Sequence, residues 1–325
     1  MSIEEATTHG DETTYADEIR ATELPPTVKT LIDEYDRLLG HRDRFLWKWI
    51  YSLFPSFRLS SVAPEHTARV RTQKTLLTMY VTVLDDVVEH DGDRETFEAA
   101  QRLRRGGHDD PAAADGPAVD SDTLAFVDRL WRQFSDGIAD APRTDDFRDV
   151  FEYDLEQTMN AIAYSAVVNE NPRVANLTGA RRYGAHNMVM FPYADVDLMY
   201  SPSFASADFG RVRDLLWDLQ EMARIGNWLT TWEREIGEGD YTAGIVVFAV
   251  EEGIVTPAEL ESADDEEVVE RIKAHDVEQR FRKRWQSQYR ALEEREFDAE
   301  TVDLDRLVDG METVFEYHLA SRGLK

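Results

Sequence analysis

The feature that most constrains this chain is the return of apolar residues every three and four positions over long segments, without strand-like alternation. In "EHTARVRTQKTLLTMYVTVLDDVVEH", Leu76, Leu77, Tyr80, Val81 and Leu84 share one helical face. Leu31, Tyr35, Leu38 and Leu39 do the same upstream, and Leu215, Leu216, Leu219 and Met222 downstream. The pattern predicts about ten helices, the later ones over roughly 122–139, 144–168, 174–190, 207–238, 240–252, 257–261, 265–296 and 303–321. Pro192 in "MFPYADVDLMYSP" is expected to break the helical run. Long striped helices with short connections pack as an all-α bundle around a central space. One domain is expected over 23–325, preceded by a flexible acidic arm over 1–22. The Gly/Pro/Ala/Asp-rich stretch 105–121 reads as a surface loop.

Composition narrows the partners. The chain has 325 residues, 42% of them hydrophobic, enough for a sizeable core. Its 65 acidic residues against 36 basic give a formal charge of −29, which repels nucleic acid and anionic membrane. Only six of the basic residues are lysine. An acid-rich, lysine-poor surface suits molar salt, where self-repulsion is screened within a few ångströms, so the expected source is a salt-accumulating halophile, an archaeon. Cysteine is absent, which excludes disulfides, thiolate metal sites and a cysteine nucleophile. The N-terminal "MSIEEATTHGDETTYADEIR" has no apolar signal core, and no apolar run reaches membrane length. A cytoplasmic protein without a membrane span is expected, as monomer or homodimer.

Two stretches could carry chemistry. In "IGNWLTTWEREIGEGD", Asn227, Thr231 and Glu235 stand at i, i+4 and i+8, one column of a helix. An amide oxygen, a hydroxyl and a carboxylate in line suit a hard divalent cation; a solvated helix face is the competing reading. With only six asparagines in the chain, chance matches to N-x-x-x-S/T-x-x-x-E number roughly 0.1. The second stretch, "VLDDVVEHDGD", holds Asp85, Asp86 and Glu89 after an apolar stripe, with Asp85 and Glu89 one turn apart. Like charges so close on a half-buried face call for a cation or a proton. About one D-D-x-x-D/E arises by chance in so acidic a chain. A second copy, Asp145, Asp146 and Asp149, opens a helix after "DAPRT", where acids complement the helix dipole, and is read as unrelated to function.

"DDVVE" followed 142 residues later by "NWLTTWERE" resembles the class I terpene synthases of microbes. The resemblance implies a helical barrel in which Asp85, Asp86 and Glu89 face Asn227, Thr231 and Glu235. It also implies a cluster of three Mg²⁺ ions between them that holds a substrate diphosphate. Mg²⁺ favours a few protein oxygens plus phosphate over a full protein cage, which fits so sparse a ligand set. By the same resemblance, Arg181 in "GARRYGAHN" stands where the family places a diphosphate-sensing arginine, and Arg234 matches its basic residue before the last glutamate. Arg322 stands near the family's terminal Arg-Tyr pair, although Gly323 follows it where the family has tyrosine. Glu89 takes the third carboxylate place, and the similarity spans about residues 30–325 at the level of motifs and their order.

The activity implied by the resemblance is that of a carbon–oxygen lyase of isoprenoid biosynthesis. The expected substrate is an acyclic isoprenyl diphosphate, geranylgeranyl or farnesyl, ionised with release of diphosphate and cyclised as a carbocation. Metals and arginines neutralise the leaving group, and an aromatic cavity keeps water out and stabilises cations. Candidate cavity residues are Tyr80, Gly184, Phe191 and Trp228, with Phe54, Phe57, Trp217 and Trp232 as further aromatic candidates, although aromatic rings at helical spacing more often form plain core. Gly184 is the expected bend that aims backbone carbonyls inward. A prenyltransferase would carry a second D-D-x-x-D where Asn227 stands. A non-catalytic helical isoprenoid-binding protein is the alternative from another class.

Overall fold

The computed structural model describes residues 9–106 and 119–324, with side chains from residue 15 onward. Among these the chain is all helical, with no strand. The helices are α1 (His9–Ala21), α2 (Pro26–Leu38), α3 (Arg44–Leu53), α4 (Thr67–Glu89), α5 (Arg94–Arg104), α6 (Ser121–Ala139) and α7 (Thr144–Glu170). They continue as α8 (Leu177–Arg182), α9 (Met190–Met199), α10 (Phe209–Gly237), α11 (Gly244–Glu251), α12 (Pro257–Ser262), α13 (Asp265–Lys273), α14 (Val277–Glu293) and α15 (Asp305–Ala320). Local chemistry sets several starts. The side chain of Asp43 accepts from Phe45 N at α3, and that of Asp120 accepts from Asp122 N and Thr123 N at α6. Thr256 and Glu259 close a reciprocal capping box at α12.

The buried apolar side chains, from Ile19 to Phe315, form one continuous cluster. Helix α9 lies at its centre against α4, α7 and α10, and all ten of its residues are buried. No helix of the described residues is long and apolar enough to cross a membrane.

Four local expectations change. The arm over 1–22 is not loose across its described part: α1 packs on α3 and α15, Ala16 and Ile19 are buried, and Tyr15 OH donates to Glu316 Oε2 at 2.6 Å. Two apolar residues three apart suffice to dock a helix whose other face is charged. Pro192 does not break a helix; it sits in the first turn of α9, where a missing N–H costs nothing. The break falls at Val189, which takes φ 58°, ψ 16° between a 3₁₀ turn (Gly184–Met188) and α9. The 174–190 helix is therefore α8 plus that turn, and 265–296 is two helices parted at Asp276 (φ 54°). Of the 105–121 loop, residues 107–118 lie outside the described residues.

Candidate functional site

A cavity of about 200 Å³ opens between α3, α4, α10, α15 and the 187–190 turn. Helix α4 presents Thr78, Val81, Thr82, Asp85 and Glu89 to it, a column stepping by three and four residues. Helix α10 presents Ala223, Arg224, Asn227, Thr231, Arg234 and Glu235 in the same way. The 85–89 and 227–235 motifs thus end on one space, with the carboxylates at one end and apolar residues at the other. Leu46, Trp49, Ile50 and Leu53 of α3, then Phe54 and Phe57, form the apolar wall. Phe54 meets Tyr193 edge-on at 5.1 Å, and Tyr193 OH shares a 2.6 Å hydrogen bond with Thr78 Oγ1. Below this floor Lys74 Nζ, fully buried, contacts Asp197 Oδ2 at 2.7 Å and donates to Phe57 O at 2.8 Å. Asp197 Oδ2 also accepts from Leu59 N at 2.9 Å, so one ion pair pins the Phe57–Leu59 segment.

The electrostatics of the rim are those of crowded acids. Burial pushes Asp85 up to about 6, opposed by Arg42 and reinforced by Asp86 and Asp240. Burial, then Asp240, pushes Glu235 up to about 7 against the pull of Arg224 and Arg234. Glu89 lies well above the usual carboxylate range, through burial and the charges of Asp85, Asp240 and Glu235. Among the described residues, no three His, Asp or Glu side chains form a ready-made metal cage. The donor set is nonetheless one of hard oxygens whose mutual repulsion a divalent cation relieves, and it suits an ion that takes part of its shell from a phosphate.

The structure sorts the predicted residues. Asp85, Glu89, Asn227, Thr231, Glu235 and Arg234 line the cavity. Asp86 does not. It is fully buried, accepting from Tyr35 OH at 2.6 Å and from Arg42 Nε at 2.7 Å. Consecutive helical residues point about 100° apart, so Asp85 and Asp86 cannot share a face. Asp86 instead holds Arg42 at the rim, where its Nη2 stands 3.9 Å from Asp85 Oδ2.

Arg181 is also outside the cavity. Its Nε and Nη2 donate to Glu221 at 2.9 and 3.0 Å, a two-point pairing that Arg284 shares. Arg322 lies beyond α15 and pairs with Glu278 at 2.6 Å and with Glu233. Glu233 is about 200° around α10 from Glu235, hence on the outer face. Arg234 pairs with Glu238 at the cavity edge. Of the proposed cavity residues, Tyr80 packs on Trp131 and Phe191 on Trp217. Trp228 packs on Phe281 and Trp232 donates to Glu278. All four are core, while Trp217 is half exposed. Aromatic rings at helical spacing bury on whichever neighbour the bundle supplies. Phe54 and Phe57 do line the cavity. Gly184 is buried off the cavity and takes no positive φ; Val189 makes the bend, and Asn187, Met188, Val189 and Met190 face inward. Asp145, Asp146 and Asp149 are exposed and line no part of the cavity.

Four rim residues escaped the sequence reading. Arg224 donates to Asn227 Oδ1 at 2.9 Å and sits one turn before it, so extending the α10 column backwards would have found it. Asp240 arrives through a Schellman turn: Gly239 N bonds Ile236 O at 3.0 Å, Asp240 N bonds Glu235 O at 2.8 Å, and Gly239 takes φ 75°. The "GEGD" run carried that signal. Arg42 and Asn187, whose Nδ2 donates to Asp85 Oδ1 at 3.4 Å, come from turns and leave no local pattern. No family model matches this chain, and no curated protein matches it.

Proposed function

We propose that the chain is a Mg²⁺-dependent class I terpene synthase that ionises an acyclic isoprenyl diphosphate, farnesyl or geranylgeranyl, and cyclises the resulting carbocation with release of diphosphate. The observation that carries this reading is the division of one cavity into an oxygen-rich acidic rim and an apolar, partly aromatic cup. An isoprenyl diphosphate has an anionic head that needs cations and a hydrocarbon tail that needs shelter from water, one for each part of the cavity.

Asp85, Glu89, Asn227, Thr231 and Glu235 would hold Mg²⁺, with Asp240 beside them. Bound there, Mg²⁺ supplies Lewis-acid neutralisation of the leaving diphosphate. Arg42 and Arg224 aim guanidinium donors at the same space and stabilise charge that develops on the leaving oxygens. Asp86 orients Arg42, and Asn227 orients Arg224. Trp49, Phe54 and Phe57 turn ring surface to the cup, where each aromatic face stabilises a cation by ~0.5–2 kcal/mol. The apolar wall offers no hydrogen-bond partner that would hold water beside the cation.

A second reading keeps the cavity and drops turnover. The observation in its favour is that Arg181 and Arg322 are tied to Glu221, Glu233 and Glu278 outside the cavity. The two are separated by incubating the protein with farnesyl and geranylgeranyl diphosphate, Mg²⁺ and molar KCl, and assaying released diphosphate. Release that needs Mg²⁺ supports the synthase; saturable binding without release supports the carrier.

A further inference from the structure

The outer face of α7 is short of charge in a chain of which 31% is charged. The thirteen residues from Gln157 to Asn169 carry none. Helix α7 packs its inner side on α4, α9 and the Gly184–Met188 turn. A solvated outer side is normally charged or polar, yet this one exposes Tyr153, Asn160, Ala163 and Val167. Among the described residues, five large apolar side chains are at least 40% exposed: Tyr153, Val167, Val174, Tyr183 and Trp217. All five gather on this side. Val174 lies in the turn that packs on the end of α7, and the Tyr183 ring meets Tyr164 of α7 with centroids 5.5 Å apart. Trp217 meets His186 of the 3₁₀ turn edge-on at 5.4 Å. Arg213, one turn before Trp217, holds Asp154, the neighbour of Tyr153, at 2.6 and 3.0 Å. Exposed apolar groups gathered in this way mark an interaction surface.

The symmetry of the patch indicates what covers it. At about 100° per residue, Asp146, Asp149, Tyr153 and Val167 all lie within about 40° of Asn160 around the helix. Tyr153 and Val167 stand one on each side of Asn160, each ~10 Å along the axis. A second copy laid antiparallel, with a two-fold axis at Asn160, sets each Tyr153 against the other copy's Val167. The two Asn160 amides meet on the axis, where each can donate to and accept from the other. A lone asparagine in such a seam fixes register. Charge follows the same symmetry. Asp146 and Asp149 mark the N-terminal end of the face, and both are exposed. The C-terminal end is flanked by Arg173 and Arg182, in a run from Asn171 to Asn187 that has three arginines and no acid. The axis brings each acidic end to the other copy's basic end. Glu156, also on this face, is already paired with Arg104 and Arg105.

We propose that the chain pairs with a second copy of itself through α7, antiparallel about a two-fold axis at Asn160. Tyr153, Val167 and Tyr183 supply the apolar anchors, and the Asp146/Asp149 and Arg173/Arg182 ends set the direction. A charge of −29 repels a second copy from most of the surface, so the contact forms where charge is missing. No residue of α7 lines the cavity, and the pairing is independent of the synthase reading.

Sedimentation equilibrium in molar KCl should give twice the 37.3 kDa of the chain. Asn160→Arg places like charges on the axis, and Val167→Glu adds an acid opposite the other copy's acidic end. Each should weaken pairing by about tenfold or more. The chain has no cysteine, so single cysteines read the geometry directly. With a short bismaleimide, Asn160→Cys should cross-link to itself. Tyr153→Cys should cross-link to Val167→Cys in a mixture of the two variants, and not to itself. These exposed, neutral changes cover a charged variant that fails to fold. A wild type that stays at the mass of one chain overturns the proposal. So does a dimer that survives both charged variants, because the contact then lies elsewhere. Tyr153→Cys that links to itself and not to Val167→Cys overturns the antiparallel axis.

Discussion

At the residue scale, neighbours with the same side chain have different tasks. Asp85 faces the cavity, whereas Asp86 is buried against Tyr35 and Arg42. Asp85→Ala and Asn227→Ala should each lower diphosphate release a hundredfold or more, and Asp145→Ala should leave it unchanged. An Asp145→Ala loss would mean that the wrong acidic motif has been chosen. Asp86→Asn should act through Arg42. In a double-mutant cycle with Arg42→Gln, the two losses should fall well short of additive. The raised rim acids also make a pH prediction. Asp85 is pushed up to about 6 and Glu235 up to about 7, from ~4 in the unfolded chain. The folded, metal-free protein thus holds protons that the unfolded chain has released, and its stability falls as pH rises from about 4 to about 7. Glu235→Gln should therefore be more stable than wild type at pH 8 without metal, by on the order of 1–3 kcal/mol, with the gap closing toward pH 4. Denaturant melts at the two pH values check it; a variant less stable at pH 8 contradicts it.

At the element scale, the two cavity columns were legible because helical periodicity is local. Asp85 and Glu89, and Asn227, Thr231 and Glu235, fall together whatever the rest of the fold does. What the turns bring in was not legible. Arg42 meets Asp86 across 44 positions, and Asn187 meets Asp85 across 102. The bend at 189 was misplaced for a similar reason. Glycine and proline are the usual punctuation, yet here a valine takes the left-handed conformation, at a cost of about 1–3 kcal/mol that the surrounding packing must offset. Arg181 failed differently: its position along the chain matched an expectation, but the half-buried Glu221 captured it. The floor of the cup rests on the Lys74–Asp197 pair. Lys74→Met should destabilise by about 3–5 kcal/mol, since Asp197 is left buried and unpaired. Lys74→Met with Asp197→Leu should recover most of that in a thermal melt. A tolerated single variant would show that the pair does not hold the Phe57–Leu59 segment.

At the scale of the whole molecule, the all-helical architecture followed from helical periodicity, the convergence of two distant motifs on one cavity was implied only by the family resemblance, and the docked N-terminal helix was not expected. Helix α1 carries too few apolar residues to be noticed, and α3 and α15 make its site. The charge of −29 spreads over this surface, so the melting temperature should climb steadily from about 0.1 to about 3 M KCl as repulsion is screened. A flat profile would show that surface repulsion is not a main cost of folding. The central claim concerns the rim and cup acting together, and one measurement reaches it most directly: diphosphate released from farnesyl or geranylgeranyl diphosphate in molar KCl, with and without Mg²⁺. The account predicts multiple turnovers that stop when Mg²⁺ is chelated and are lost in Asp85→Ala and Asn227→Ala. A folded protein that releases no diphosphate from either substrate would contradict it.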